Sequence, residues 1–368
     1  MSLLKKYAQL LVHYCLEIKE GERLFISTSL LAEPLVKEVF RECTKIGALV
    51  ETDFKMSDQA KIFVDNAPDS LLDTPPVFYK YAIENFDAYL VIRAPYNLNE
   101  SSSIPADKRK RRSATMAELN TLYFERTSKR GEKGGLKRSL CQYPTQAAAQ
   151  KANMSLEEYE YFVYNACHLF SDNPEAEWLK IRKDQQKIKE YLDKVSHIRY
   201  KADHTDISFS VEGRTWINSD GQTNMPSGEV FSAPIENSVN GKVHFTFPSI
   251  YMGRDVSGIT LWVEDGKIVK WDADQGKDLL DQVFAIPGAN YFGEVAIGTN
   301  YKIQRSTRNI LFDEKIGGTI HMAVGQSYKQ CGGKNSSSIH WDMITDMSES
   351  GQIYADEKLI YEKGKFII

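Results

Sequence analysis

Hydrophobic and polar positions in the first half of the chain alternate between helical and strand patterns. Apolar residues recur at helical spacing near the start, and a short apolar run with strand character follows at residues 23–27. A second helical pattern covers residues 33–46 and meets Gly47, and glycine commonly ends helices. Two more apolar runs have strand character, at residues 49–54 and 87–93. Strands separated by helices of this length predict βαβ units, so we expect an α/β domain with a parallel sheet.

The second half of the chain has a different pattern, in which short alternating runs are separated by turn residues. Runs at Ile259–Glu264 and Lys267–Asp272 flank Asp265-Gly266, which is a strong signal for a two-residue β-hairpin. We therefore predict two domains: an α/β N-terminal domain over residues 1–196 and a β-rich α+β C-terminal domain over residues 197–368.

Composition and charge argue against several classes of protein. The chain has 368 residues, of which 42% are hydrophobic and 26% are charged, as in ordinary soluble globular proteins. A net charge of −4 provides no basic excess for nucleic-acid binding. The basic run Lys108–Arg112 is interpreted as a solvated helix face or a loop. No window reaches the roughly 18 apolar residues of a membrane span, so we expect neither nucleic acid nor membrane as a partner.

The cysteines indicate a reducing compartment. They are widely spaced and form no CxxC pair, at positions 15, 43, 141, 167 and 331. This spacing argues against a disulfide framework and against a thiolate zinc site. The first 22 residues also lack the continuous apolar run of a signal peptide. A cytoplasmic location is therefore predicted.

Residue types that bind metals are concentrated between residues 293 and 346. In a strand, residues i and i+2 point to the same face, so His340 and Asp342 are expected to converge while Trp341 packs behind them. The same alternation places His321 on the polar face of an otherwise apolar run. Imidazole and carboxylate ligands together suit Zn, Co or Mn. Either histidine taken alone is better explained as a core residue bonded to the backbone, so spacing alone does not establish a metal site.

Five separated segments of the second half resemble one known family, in the order in which that family has them. The segments are Pro226–Pro234, Gly293–Ala296, Asp313-Glu314, Gly317–Gly325 followed by Tyr328, and Ile339–Met343. Together they resemble the aminopeptidase T family of metallo-aminopeptidases, also called the thermophilic or PepS-like aminopeptidases. By this resemblance the chain is expected to be a metal-dependent hydrolase that removes N-terminal residues from peptides.

The resemblance also implies the composition of the site. Two divalent ions, Zn, Co or Mn, would activate a water molecule, and Tyr328 corresponds to the active-site tyrosine of the family. Glu294 is the natural bridge between the ions, and either Glu229 or Glu294 would act as general base. The resemblance further implies peptide substrates, a homodimer and a catalytic role for the C-terminal domain. The implied metal ligands are Glu229, Glu294, Glu314, His321, His340 and Asp342.

Two alternative functions are compatible with the same residues. A different two-metal hydrolase, such as a phosphoesterase, uses similar ligands. A non-catalytic peptide-binding relative would keep the fold without turnover. The remaining histidines match no motif and are expected to be structural, at positions 13, 168, 197, 204 and 244.

Overall fold

The computed structural model describes residues 2–251 and 253–368. Contacts within the chain divide it into two compact units. The first is Met1–Glu175 with Gly221–Pro226, and the second is Ala176–Asp220 with Ser227–Ile368. This division assigns residues 176–196 to the second unit. The domain boundary between residues 196 and 197 stays a prediction.

The first unit contains a parallel sheet. Its strands are β1 (Arg23–Ser29), β2 (Leu49–Lys55), β3 (Ala88–Arg93), β4 (Lys137–Gln142) and the short β8 (Asn224–Met225). They lie in the order β2-β1-β3-β4-β8, and each neighbouring pair runs parallel. The predicted α/β character of the first half is therefore confirmed.

Helices occupy most of the chain between these strands. They are α1 (Leu3–Gln9) continued by a π-helical turn (Leu10–Cys15), a 3-10 turn (Leu30–Ala32), α2 (Glu33–Ile46), α3 (Gln59–Asn66), α4 (Asp69–Leu72), α5 (Val77–Asn85), α6 (Ala106–Thr115), α7 (Ala117–Ser128), α8 (Gln146–Lys151) and α9 (Leu156–Ala166). The predicted end of α2 is confirmed, because Gly47 caps it with φ of 85°, a conformation that costs glycine little. The basic run lies in α6, where Arg111 forms ion pairs with Asp69 and Asp73.

The second unit is rich in antiparallel strands. They are β5 (His197–Ala202), β6 (Thr205–Ser210), β7 (Ile217–Ser219), β9 (Glu229–Ser232), β10 (Asn240–Phe245), β11 (Ser249–Tyr251), β12 (Arg254–Val256), β13 (Ile259–Glu264), β14 (Lys267–Asp272), β15 (Phe292–Gly298), β16 (Thr319–Gly325), β17 (His340–Asp346), β18 (Gln352–Ala355), β19 (Lys358–Glu362) and β20 (Lys365–Phe366). One sheet has eight strands, in the order β14-β13-β10-β6-β5-β18-β19-β20, and another has five, in the order β17-β16-β15-β9-β7. β11 and β12 form a separate pair.

Three helices and a short turn complete the second unit. They are α10 (Pro174–Leu192), which begins two residues before this unit, α11 (Lys277–Phe284), α12 (Ile310–Asp313) and a 3-10 turn (Lys329–Cys331). Within the described residues, no helix of either unit is long and apolar enough to span a membrane.

The hairpin predicted at Asp265-Gly266 is confirmed. β13 and β14 pair in antiparallel fashion on either side of it. Both turn residues have positive φ, 48° for Asp265 and 83° for Gly266, as the favoured two-residue hairpin turns require. Short strands joined by such turns give the β-rich second half that the sequence predicts.

A single apolar core joins the two larger sheets of the second unit. It contains Tyr200 and Phe209 from the eight-stranded sheet and Val295, Ile320 and Met322 from the five-stranded sheet. Each of these residues is at most 2% exposed. The five-stranded sheet therefore buries one face in the core, and this fixes which side chains its other face presents.

Candidate metal centre

Five of the predicted ligands lie on four adjacent strands of the five-stranded sheet. Glu229 lies in β9, Glu294 in β15, His321 in β16, and both His340 and Asp342 in β17. β9, β15, β16 and β17 are neighbours in that sheet. The chain thus brings together residues that are more than a hundred positions apart in sequence.

Strand pairing places these five side chains on the same face. Ala296 of β15 pairs with Phe231 on one side and with His321 on the other. Residues two positions away share that face, which adds Glu229 and Glu294. The register of β16 and β17 adds the last two, since Ala323 pairs with Asp342 and Gly325 with His340. The convergence of His340 and Asp342 predicted from their spacing is therefore present.

The intervening residues face the core, and Trp341 shows how they hold the sheet. Its indole is 4% exposed, its Nε1 donates to Ser249 Oγ at 2.7 Å, and its ring stacks on Tyr251 at 4.7 Å between centroids. This packing fixes β17 on the face that is turned towards the core. His340 and Asp342 are consequently held on the opposite face by a rigid strand rather than by a loop.

Short distances connect the imidazoles to the carboxylates. His321 Nε2 lies 3.4 Å from Glu229 Oε2 and 3.7 Å from Glu294 Oε1. His340 Nε2 lies 3.0 Å from Glu294 Oε2 and 3.3 Å from Asp342 Oδ1. Glu294 therefore stands between the two histidines.

The sixth predicted ligand, Glu314, follows α12 and joins the same cluster. Its carboxylate lies with His321 and Asp342 in a group whose potential ligand atoms are all within 4.8 Å of one another. Asp313, one residue earlier, anchors this segment because its carboxylate accepts hydrogen bonds from the backbone N–H groups of Thr307 and Arg308, each at 2.8 Å. The segment between α12 and β16 therefore places Glu314 beside His321 and Asp342.

The cluster consists of three overlapping groups of potential ligands. They are Glu229, Glu294 and His321; Glu294, His340 and Asp342; and Glu314, His321 and Asp342, each with atoms within 4.8 Å of one another. All six predicted ligands occur in these groups, and the other five histidines occur in none of those found among the described residues. The structure thus assembles the predicted residues; their role as ligands stays a prediction.

Tyr328 lies at the edge of the cluster. Its ring centroid is 5.1 Å from that of His340 and 5.4 Å from that of Phe231, and the residue as a whole is 41% exposed. Burial and the negative charges of Glu294 and Asp342 raise the pKa of its hydroxyl well above the ordinary value. The hydroxyl therefore stays protonated at physiological pH and is available as a hydrogen-bond donor.

Lys315 is a charged residue of the cluster that was not predicted from the sequence. Its side chain is fully buried, its Nζ lies 3.4 Å from Glu229 Oε1, and it forms an ion pair with Glu314. In the sequence this lysine follows two acidic residues, as solvated lysines often do. The only indication in the sequence that Lys315 is buried is that apolar residues, Phe312 and Ile316, lie on either side of the charged run.

A second missed residue, Gln185 of α10, supports the strand that carries Glu229. It is 2% exposed, and its Nε2 donates to the backbone oxygen of Glu229 at 3.2 Å and to that of Ser219 at 3.1 Å. Its Oε1 accepts from Thr299 Oγ1 at 2.9 Å. One buried amide therefore joins α10 to the segments beside the cluster.

The donor set of the cluster fits a divalent metal. His321 Nδ1 is buried and has no hydrogen-bond partner among the residues described, and the contacts of Glu229 Oε2 and Asp342 Oδ1 with the imidazoles lack hydrogen-bond geometry. Buried polar atoms without partners are rare in folded proteins because they are costly. Mixed imidazole and carboxylate donors are typical of sites for Zn, Mn or Co.

Interactions within the cluster shift the pKa of several groups. Burial disfavours the charged form of His321, but the hydrogen bond to Glu294 and the nearby negative charges outweigh it and raise the pKa to about 9. Burial likewise opposes charge on His340, but Asp342 and Glu294 raise its pKa to about 12. In the metal-free protein both imidazoles therefore hold protons at neutral pH.

The metal-free protein is expected to lose stability as the pH rises from 6.5 towards 9. The pKa of His321 is raised in the folded state from 6.5 to about 9, so the stability it contributes is present below pH 6.5 and is lost as the pH rises through 9. His340, with its pKa raised from 6.5 to about 12, acts in the same direction because folding favours its protonated form. Each pKa unit corresponds to about 1.4 kcal/mol. Calorimetry in the presence of a chelator should show the melting temperature falling by several degrees.

A control separates this effect from general alkaline destabilisation. His340→Gln removes one of the two titrating imidazoles, and its melting temperature should vary less with pH. A melting temperature of the metal-free wild type that is constant or rises over this range would contradict the prediction.

Comparisons with known proteins identify relatives along nearly the whole chain. The family model described as "Thermophilic metalloprotease (M29)" matches residues 1–366. Aminopeptidase 2 of Geobacillus stearothermophilus is 27% identical over 353 residues, covering 88% of this chain and 84% of that protein. Aminopeptidase PepS of Streptococcus thermophilus is 26% identical over 396 residues, covering 93% of this chain and 91% of that protein.

A solved structure has the same fold. Wild-type AmpT from Thermus thermophilus superimposes with a TM-score of 0.83 at 22% identity, covering 100% of this chain and 99% of that chain. The predicted fold class is thereby confirmed. The family match confirms the resemblance inferred from the motifs and the prediction of a metal-dependent hydrolase. The chain belongs to the thermophilic metalloprotease (M29) family.

Proposed function

We propose that this chain is a metallo-aminopeptidase that removes N-terminal residues from peptides with two divalent ions held by the six-residue cluster. The single observation that carries the proposal is the convergence of the predicted ligands, four carboxylates and two imidazoles, on one face of a rigid sheet. Membership of a metalloprotease family implies the use of divalent metal, and the aminopeptidase names of the relatives support an exopeptidase.

The arrangement of the ligands favours two ions over one. Glu294 belongs to two groups that otherwise share no residue, one with Glu229 and His321 and one with His340 and Asp342. A carboxylate in that position is suited to bridge two ions. The donor types favour Zn, Co or Mn.

The residues of the chain take distinct roles in the proposed reaction. Bound divalent ions would polarise the scissile carbonyl and lower the pKa of a water molecule. Glu229 or Glu294 would accept the proton of that water, since both carboxylates lie in the buried cluster. Tyr328, held protonated beside His340, would donate a hydrogen bond to the carbonyl oxygen as negative charge develops on it.

Hydrolysis is expected to require a free α-amino group on the substrate. The proposed site would bind a neutral amine as a ligand, and an acetylated nitrogen cannot replace it. Acetylating the N-terminus of a good peptide substrate should abolish its cleavage, measured by product release in the presence of added metal. The same peptide with an amidated C-terminus is the matched control and should still be cleaved.

The outcome of this experiment distinguishes the candidate functions. Equal rates on free and acetylated peptides would overturn the exopeptidase proposal and leave a metal-dependent endopeptidase. Cleavage of phosphoesters instead of peptides would favour the alternative two-metal hydrolase. Metal binding without turnover of either substrate would favour the non-catalytic alternative.

Two further expectations from the sequence, a homodimer and a cytoplasmic location, stay predictions. Sedimentation equilibrium of the metal-loaded protein would check the first.

A further inference from the structure

Lys315 has an unusual environment for a lysine. It lies between α12 and β16, its side chain is fully buried, and its contacts are with carboxylates of the cluster. Its Nζ is 3.4 Å from Glu229 Oε1 and forms an ion pair with Glu314. An isolated lysine at this depth would lose its charge. Here two carboxylates lie against the ammonium group, so its charge is paired within the protein.

Each cation of the cluster lies beside two of its carboxylates. Lys315 contacts Glu229 and Glu314, His321 lies near Glu229 and Glu294, and His340 lies near Glu294 and Asp342. Glu229 and Glu314 come from separate parts of the chain, one in β9 and the other after α12. Two carboxylates this close repel each other unless a positive charge lies between them. Lys315 supplies that charge from within the chain.

We propose that Lys315 is a positioning residue whose ammonium group is a permanent cation of the metal centre and holds the carboxylates of Glu229 and Glu314 together before any ion binds. The inference rests on the proposed function, because it concerns the site assigned there to divalent ions. The imidazoles of His321 and His340 must lose a proton before they bind an ion, whereas the ammonium group of Lys315 is not a ligand and need not lose its proton.

Lys315 is expected to contribute more to the stability of the metal-free protein than to that of the metal-loaded protein. In the metal-free protein Lys315 is the cation that offsets the repulsion between Glu229 and Glu314, so its loss is costly. In the loaded protein divalent ions would offset the same repulsion, so its loss costs much less. The stabilisation that metal provides should therefore increase when Lys315 is replaced by a neutral residue of similar length.

The test is thermal unfolding of wild type and Lys315→Met, each measured with chelator and with saturating Zn²⁺. Loss of one partner of a buried ion pair should lower the melting temperature of the metal-free variant on the order of 10 °C. The fall with Zn²⁺ should be less than half as large, so that Zn²⁺ raises the melting temperature of the variant more than that of wild type.

Lys137 provides a matched control in the first unit. It is only 9% exposed, and its Nζ contacts both carboxylate oxygens of Glu22 at 2.7 Å. Lys137→Met removes a comparable ion pair that lies outside the cluster. Its melting temperature should fall by the same amount with chelator and with Zn²⁺.

A double variant tests the proposal even if Lys315→Met does not fold. Glu314→Gln combined with Lys315→Met removes one negative and one positive charge, so the cluster keeps the net charge of the wild type. The metal-free double variant should be more stable than Lys315→Met alone and should fold even where the single variant does not. If the double variant is no more stable than the single one, charge compensation by Lys315 is overturned.

The remaining outcomes separate this inference from the proposed function. Equal losses of melting temperature with and without Zn²⁺ in Lys315→Met would make Lys315 a packing residue and overturn the inference. The inference would also be overturned if Zn²⁺ raised the melting temperature of Lys315→Met less than that of wild type, because Lys315 would then be needed to hold the ion. If Zn²⁺ does not stabilise wild type, the proposal of a metal centre is overturned. The metal-free comparison of the single and double variants then still tests whether Lys315 compensates the charge of its carboxylates.

Discussion

Stripping the protein of metal is expected to abolish peptide hydrolysis, and activity is expected to return only after a second equivalent of divalent ion has bound. The reason is the shared position of Glu294, which lies within reach of both histidines and belongs to two groups of potential ligands. One ion would fill only one of these two groups. Titration of the metal-free protein with Zn²⁺ or Mn²⁺, followed by calorimetry and by activity on a free-amino peptide, measures both quantities.

A ligand variant tests the same assignment independently. Asp342→Asn removes a negative charge from two of the three groups of the cluster and leaves the group of Glu229, Glu294 and His321 intact. It should weaken one binding event more than the other in the titration. Full activity with a single ion per chain would contradict the two-ion proposal, although an aminopeptidase with one ion would remain compatible with the family.

Replacing Tyr328 by Phe is expected to lower kcat by about 10²–10³-fold, the typical effect of removing one donor to a developing oxyanion. The ring packs between Phe231 and His340, so phenylalanine should keep the packing and lose only the hydroxyl. Metal content measured by atomic emission should be unchanged. The change in kcat should exceed any change in KM, because the donor acts as charge develops on the carbonyl oxygen.

Tyr251→Phe is a suitable control for this substitution. Tyr251 stacks on Trp341, which faces the core side of β17, so the loss of its hydroxyl should leave kcat nearly unchanged. Loss of metal from Tyr328→Phe would make Tyr328 a ligand or a support of one. Full activity would reduce it to a packing residue.

Local patterns predicted those parts of the structure that depend on neighbouring residues. Alternation within β17 was sufficient to place His340 and Asp342 on one face and Trp341 on the other, because strand geometry has a period of two. Likewise, Asp265-Gly266 predicted its hairpin because the turn needs two residues with positive φ. The class of each half of the chain followed from the same local patterns.

Features that depend on distant contacts were not predictable in this way. Spacing could not show that Glu229, Glu294 and the β17 residues meet, because that depends on the order of strands in the sheet. The family resemblance predicted instead that these residues lie together. Lys315 and Gln185 were missed because their roles come from burial by distant segments, which no pattern of neighbours in the sequence reports.

The distribution of the candidate ligands over four adjacent strands links catalysis to the lifetime of the folded chain. Ions held between β9, β15, β16 and β17 would act as cross-links, and these strands could not separate until metal–ligand bonds broke. Such bonds slow unfolding if they break before the transition state is reached. The loaded protein would then resist other peptidases for longer than its equilibrium stability alone provides, since cleavage requires an opened chain. In a cell, a peptidase of this kind would be protected from proteolysis by its own active site.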